Sequence, residues 1–512
     1  MSENCLYNNF IDSKSGIKIP VFVSGRTVDS RYDPLRECQR IISQIEPGTK
    51  FFVITGIASG TLIKAINEAI PDSFIIAIEK SQSEIDFLLQ LEQVKKLKQN
   101  LNIQFCTVEE LEQTIINFYL PAFYGNFKII EQPGWITENK DLMPQINSFI
   151  TNALNKVSAD FSVQSHFGKL WQHNILNNLF FIDSSKEQKF PLNKTAIIFA
   201  AGPSLDNYIK TLISEKKHTQ DNYYLIATDT AFSTLLSNGL IPDAVVSIDG
   251  QYVSNTHFIH EKQFDFSKTN FLFDLSANSS AVKKIAKEQF NIQFFKSGHP
   301  FCEYTDEYFG LNLPTLFSGA GTVTICAVDY AHKIGFKNLI VAGADFSYIN
   351  GKPYAKGTYL DKLYNSSSSR FESSQKKFCA LEFRTPLVQI DSRKFTTQVL
   401  QNYRTSFEDY LQINNLKFEK KDELYYINNS NENKNQINNN DCKIDKEKIE
   451  TFLNSFKSIQ KNEIFNINNL SKKDISLLPL ISWLRTHDNN NKADFIYFFN
   501  KAVQYFNKWE NI

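Results

Sequence analysis

Apolar residues in the first 350 positions gather in short runs, each followed by a glycine-bearing turn and then by apolar positions three and four apart. Phe51 to Thr55 is such a run; Gly56 to Gly60 makes the turn, Thr61 to Ile70 has helical spacing, and Phe74 to Lys80 is a second run. That order predicts strand, turn, helix, strand, which is half of a doubly wound sheet. A second series starts with TAIIFAAGPSLDNYIKTLI from Thr195 and continues through YYLIATDT, AVVSIDG, NFLFDLS, IQFFKSG and NLIVAGADF. Short, wholly apolar strands alternating with helical patterns predict a mostly parallel sheet covered on both faces. Between the two series, residues 125–194 read as mixed and mostly helical, and the stripe in SHFGKLWQHNILNNLFF is expected to be core. Beyond Asp391 the pattern turns helical. Residues 428–440 read as a solvated, Asn-rich loop, and Ile449, Phe452, Leu453, Phe456 and Ile459 repeat at helical spacing as a cap or partner-binding face. The fold class expected is therefore α/β, with three domains: a Rossmann-like unit over 1–160, a doubly wound sheet over 161–395, and a helical carboxyl-terminal region over 396–512.

A chain of 512 residues exceeds what one hydrophobic core serves, in keeping with several domains. Lys and Arg balance Asp and Glu at 55 each, so no global field steers the chain onto nucleic acid or an anionic membrane. The seven cysteines form no CxxC pair and are odd in number, which excludes a disulfide scaffold; the one close histidine pair, His257 and His260, lacks the companions of a zinc site. No metal ligands are assigned. Met1 to Phe10 is polar and no apolar stretch reaches membrane-spanning length, so a cytoplasmic location is expected.

The chemistry concentrates where strands end. Gly202, Pro203 and Ser204 form a tight turn that opens a helix, where amide N–H groups and the helix dipole favour an anion such as a phosphate; Ser204 equally suits a plain helix cap. Asp229, Asp249 and Asp345 follow three further strands at the same edge. Carboxylates there can bind ribose hydroxyls, hold a divalent metal that bridges phosphates, deprotonate an acceptor hydroxyl, or cap helices. Ser318 and Gly319 begin a second glycine turn ahead of a helix, and Tyr348 and Tyr354 offer neutral phenol donors to phosphate oxygens. In the first series, Glu79 stands where a nucleotide-binding fold places a ribose ligand, though the turn from Gly56 to Gly60 serves tight packing equally well.

IIFAAGPSLD, together with SGAGTVTICAVDYAHKIGFKNLIVAGADFSYINGKPYA, resembles the bacterial sialyltransferases that use CMP-sialic acid. With ATDTAFSTLLSNGLIPDAVVSIDG as connecting motif, it also resembles the wider family that joins the motility accessory factors (Maf) to archaeal hydroxymethylpterin diphosphokinases. VDSRYDPLRECQRI and FGKLWQHNILNN resemble the Maf amino-terminal region and helix. The resemblance covers roughly residues 15–415 and implies a glycosyltransferase that moves a nonulosonic acid of pseudaminic, legionaminic or sialic type from a CMP donor to Ser or Thr of flagellin, as flagellum assembly and motility require. It implies that Gly202, Pro203 and Ser204 meet the donor phosphate, that Ser318 and Gly319 touch the nucleotide, that Tyr348 and Tyr354 bond the leaving phosphate, and that Asp229 and Asp249 lie beside nucleotide or sugar. Ala201 and Asp229 stand where the sialyltransferases have Asn. Their base is a His downstream of the DF turn, and this chain has none between His332 and His487; Asp249, Asp345 and His299 are the candidates instead. The rival readings are a diphosphokinase and a non-catalytic flagellin-binding factor.

Overall fold

Every position from Phe51 to Thr55 and from Phe74 to Glu79 is buried, and the two runs lie side by side as parallel strands. In the computed structural model, which describes residues 5–182, 190–214, 222–260, 264–319, 321–430, 444–457, 470–490 and 494–509, the chain divides into two compact units. One takes Met1–Lys169 with Thr451–Ile512 and the other Leu170–Glu450. The region expected as a separate carboxyl-terminal domain is thus shared: 396–450 belongs to the central unit and 451–512 to the amino-terminal one.

In the amino-terminal unit, β1 (Tyr7–Asp12) and β2 (Lys18–Phe22) form an antiparallel pair. The strands β3 (Thr49–Thr55), β4 (Phe74–Glu79), β5 (Ile103–Thr107) and β6 (Asn126–Ile130) make a parallel sheet in the order β5-β4-β3-β6. Strand order reverses at β3, so the crevice in which such sheets take ligands lies beyond the ends of β3 and β6. Here that crevice is filled from within. A Cβ on Gly56 (φ +92) would come within 2.6 Å of the Trp135 ring, which is wholly buried. Trp135 Nε1 donates to Glu79 at 2.8 Å, and the same carboxylate accepts Ile57 N–H at 2.8 Å and the Tyr7 hydroxyl at 3.2 Å. Glu79 is spent on packing partners, and the glycine turn serves close packing rather than a ribose. Residues 451–512 contribute helices to this unit, including Leu478–His487 and Phe495–Tyr505; Arg485 Nε donates to the Ala122 carbonyl at 2.7 Å.

In the central unit, β7 (Thr195–Phe199), β8 (Tyr223–Thr228), β9 (Ala244–Ser247), β10 (Asn270–Asp274), β11 (Asn291–Phe295) and β12 (Asn338–Ala342) are all parallel. A small antiparallel sheet follows from β13 (Tyr348–Ile349), β14 (Val388–Gln389) and β15 (Lys394–Thr396). The hairpin β16 (Lys417–Lys421) and β17 (Leu424–Asn428) then extends the main sheet, whose order is β11-β10-β9-β8-β7-β12-β17-β16. That hairpin departs from the helical pattern expected beyond Asp391, and Asn428 closes its second strand; residues 431–440 of the expected Asn-rich loop lie outside the described residues. The helix Val323–Ile334 packs on β7, β8, β9 and β12 and is buried along nearly its whole length, with Ile325, Val328 and Tyr330 at its core. Full burial of an aliphatic side chain such as Ile325 or Val328 contributes about 1.5–3 kcal/mol. Because the helix feeds β12 directly, its first turn opens at the carboxyl edge of the sheet. No described helix is long and apolar enough to cross a membrane.

Candidate functional site

Strand order in the main sheet reverses between β7 and β12: β8 to β11 lie on one side of β7, and β12 on the other. The turns leaving those two strands cross backbone to backbone. Ala200 N–H bonds the Ala342 carbonyl and Gly202 N–H the Gly343 carbonyl, each at 2.8 Å. Neither glycine has room for a side chain. A Cβ on Gly202 would lie 2.4 Å from the Gly343 oxygen and 2.5 Å from an Asp345 oxygen, and one on Gly343 (φ +75) 2.2 Å from the Ala200 oxygen. This close crossing sets Asp345 against the helix opening, where its carboxylate accepts Ser204 N–H at 2.8 Å and the Ser204 hydroxyl at 2.5 Å. Burial pushes the Asp345 carboxyl up and the two Ser204 bonds oppose that shift. Phe346 next to it has φ +50, a left-handed backbone that is strained for a bulky residue, and is held by Thr396 Oγ1 on its carbonyl at 2.9 Å.

Asp229 opens the helix that follows β8. It is buried and tied to Ser247 Oγ at 2.7 Å and to Thr230 N–H at 2.6 Å, a bracing role between the ends of β8 and β9. Asp249 is half-buried, accepts Gln251 N–H at 2.9 Å, and has its carboxyl pushed up first by burial and further by the Asp229 charge. Across from these acids lies the segment after β13. Ala355 N–H bonds the Ala201 carbonyl at 2.9 Å, Lys356 N–H bonds Asp206 at 2.9 Å, and the Gly357 carbonyl accepts from Ser233 at 2.6 Å. Those bonds pin the backbone that follows Tyr354 to the first turn and its helix. Burial pushes the Tyr354 phenol up to about 12, helped by neighbouring Tyr359, Tyr348, Tyr403 and Asp229, so it stays a proton donor at neutral pH. The Tyr348 phenol is raised by burial and by Glu382.

Ser318 and Gly319 begin the second opening: the Ser318 carbonyl accepts Gly321 and Thr322 N–H at 3.1 and 3.0 Å, and Thr322 caps the helix. Gly319 (φ +56) lies against Ile325 and Ser406, with no space for a Cβ; Ala320 lies outside the described residues. Both openings therefore face the carboxyl edge. His299 does something else. Its Nδ1 accepts Phe301 N–H at 3.2 Å as the cap of helix Pro300–Phe309, and burial lowers its pKa to about 3, so the ring is neutral, its single basic lone pair is committed, and buried Nε2, which then carries the N–H, has no acceptor.

Three features escaped the sequence reading. Asn174 Nδ2 bonds the carbonyls of Gly250 (2.9 Å) and Ser276 (3.1 Å), and Asn178 Nδ2 those of Leu275 (2.9 Å) and Ala277 (2.8 Å). The helical stripe taken as core thus also clamps the loops after β9 and β10. Tyr359 joins the phenols beside Asp229 and Asp249. His257, set aside with the zinc question, packs its ring edge-to-face on Tyr359 at 4.6 Å. Among the described residues no group of three His, Cys, Asp or Glu side chains is arranged to hold a metal ion.

Residues 173–351 match the family described as 6-hydroxymethylpterin diphosphokinase MptE-like, a span that runs from the Asn174 clamp through both glycine turns to the end of β13. A solved Maf glycosyltransferase from Magnetospirillum magneticum AMB-1 superposes with a TM-score of 0.50 over 99% of this chain and 86% of its own, at 11% identity. The fold is that of the Maf glycosyltransferase. At this identity the likeness is one of fold, and the Maf fold confirms the α/β class with its parallel sheets and helical carboxyl-terminal region. Two uncharacterized proteins of Treponema pallidum (strain Nichols) are also similar. One is 34% identical over 145 residues, 28% of this chain and 51% of that protein; the other is 35% identical over 175 residues, 32% of this chain and 81% of that protein. The chain belongs to the family of the second and spans about half the length of the first.

Proposed function

We propose that this Maf-fold chain is a glycosyltransferase that moves a nonulosonic acid of pseudaminic, legionaminic or sialic type from a CMP donor to Ser or Thr of flagellin, a step in flagellum assembly and motility. One observation carries the reading: two helix openings, Gly202–Ser204 and Ser318–Thr322, and the phenols of Tyr348 and Tyr354 gather at the carboxyl edge of one mostly parallel sheet, where its strand order reverses. Such an edge suits a nucleotide whose phosphate becomes a leaving group. The dipoles of the two helices and the protonated phenols stabilise charge on the departing phosphate, and that stabilisation carries the rate. Ser204 acts by fixing the Asp345 carboxylate, Gly202 N–H is spent on the Gly343 carbonyl and Pro203 has no N–H, so the first turn offers the phosphate only its helix dipole, and Ser318, Gly319 and the tyrosines supply the donors. Asp229 braces the sugar end. A protein of this kind works in the cytoplasm, where its CMP-sugar donor is made.

The test incubates the purified chain with CMP-pseudaminic or CMP-legionaminic acid and flagellin. A sugar-sized mass increase on Ser or Thr is expected, and Tyr354→Phe should lower its rate by about 10²-fold, the order of losing one charge-stabilising donor. Stabilisation by ATP with magnesium but not by CMP would replace this reading with the diphosphokinase one. Flagellin binding without transfer or CMP binding would replace it with a non-catalytic role.

A further inference from the structure

His257 is 5% exposed, and its Nδ1, shielded from solvent, has no hydrogen-bond partner. A buried polar atom left unpaired costs about 1–3 kcal/mol, so native structures keep one where a ligand or a reacting group completes it. The short 3-10 helix Tyr252–Phe258 that carries His257 packs on helices Asp229–Ser237 and Ser279–Lys287, so the imidazole is fixed in place. Tyr359 closes one side of the ring at 4.6 Å, and Asp249 lies near enough for its electrostatics to couple to the ring. The Ser254 hydroxyl bonds the Asp249 carbonyl at 3.2 Å and the Gln251 carbonyl at 2.7 Å, tying the start of the 3-10 helix to the end of β9. Histidine, acid and phenol thus share the carboxyl edge with the proposed donor turns.

Resting on the transfer reading above, we infer that His257 is a catalytic residue: it accepts the proton of the acceptor hydroxyl, with Asp249 stabilising the imidazolium that forms. In that step the acceptor O–H bond breaks as its oxygen bonds the anomeric carbon. The bond from that carbon to the phosphate oxygen breaks at the same time, and CMP leaves with the electron pair. The imidazolium then returns its proton to solvent. Asp249 and Asp345 lose the role of direct base under this assignment. Asp249 becomes a positioning and charge-balancing residue, and Asp345 is committed to Ser204.

His257→Ala and His257→Gln are to be compared with the wild-type chain using CMP-pseudaminic acid and flagellin, with folding checked by circular dichroism and CMP binding by calorimetry. Loss of general-base catalysis lowers kcat by about 10²–10⁴-fold, while the KM for the donor and CMP affinity stay within about twofold. Added imidazole should restore part of the rate in His257→Ala, a rescue that a purely structural role would not give. Transfer by both variants within about threefold of wild type overturns the assignment and leaves the transfer reading standing. A rate loss in folded variants matched by lost CMP affinity, without imidazole rescue, also overturns it, because His257 would then serve binding. If the wild-type chain neither binds CMP nor transfers sugar, the transfer reading falls and the assignment falls with it.

Discussion

The two oxygens of Asp345 each accept one hydrogen bond from Ser204, one from its amide and one from its hydroxyl, at 2.8 and 2.5 Å. The first helix opening therefore already faces a carboxylate of the chain itself. An incoming phosphate meets that charge as well as the helix dipole, and the balance between them tunes how tightly nucleotide is held.

Asp345→Asn separates the two effects. Its Oδ1 can keep Ser204 N–H while its Nδ2 donates to Ser204 Oγ, so geometry is retained and one negative charge is removed. CMP should bind several-fold tighter by titration calorimetry. Equal or weaker affinity would mean that the phosphate does not approach this opening.

Asn178→Ala should unclamp the loop after β10. Asn178 is fully buried, and its loss strands the carbonyls of Leu275 and Ala277. Each unsatisfied buried acceptor costs about 1–3 kcal/mol, so the urea midpoint of the central unit should fall clearly. A change under about 0.5 kcal/mol would show that the loop holds itself, as an ordinary surface substitution would.

The parts read correctly from sequence and the parts missed differ in range. Runs such as Phe51–Thr55 and Thr195–Phe199 are apolar at nearly every position because both faces of their sheets are covered, and that pattern is local. The β16–β17 hairpin was not legible: its turn places Asp422 and Glu423 at φ +51 and +65, where Asn and Gly are usual, and Glu gives no turn signal. At the site, the glycine turns announced themselves, but their purpose did not. Gly202 and Gly343 are required by each other across about 140 residues, and no spacing along the chain encodes that crossing. His257 was visible only as half of an unconvincing metal pair, since its orphaned nitrogen is a property of burial.

The pH response of the amino-terminal unit follows from two buried acids. Burial raises the Asp29 carboxyl to about 6 and the Glu79 carboxyl to about 7, from ordinary values of 3.8 and 4.5, with hydrogen bonds from Ser59 and from Trp135 opposing the shifts. The folded chain thus keeps protons that the unfolded chain releases. Stability must fall as pH rises from about 4 to about 7, and level off above that. Thermal melts between pH 5 and pH 8 should show the drop, and Asp29→Asn, which can still bond both groups of Ser59, should flatten it. A wild-type midpoint that climbs across this range would contradict the argument.

Trp135→Ala removes the largest side chain of the amino-terminal core and one partner of Glu79. Truncation of a buried Trp costs about 3–5 kcal/mol, so denaturant unfolding should report a loss of that order. A loss under about 1 kcal/mol would mean the turn after β3 collapses onto the gap.

With an indole standing where related sheets hold their nucleotide, the crevice beyond β3 and β6 has no room for CMP. Heating the whole chain should then give two separable steps, and CMP should displace only the one belonging to residues 170–450. The other step acts as an internal standard inside the same tube.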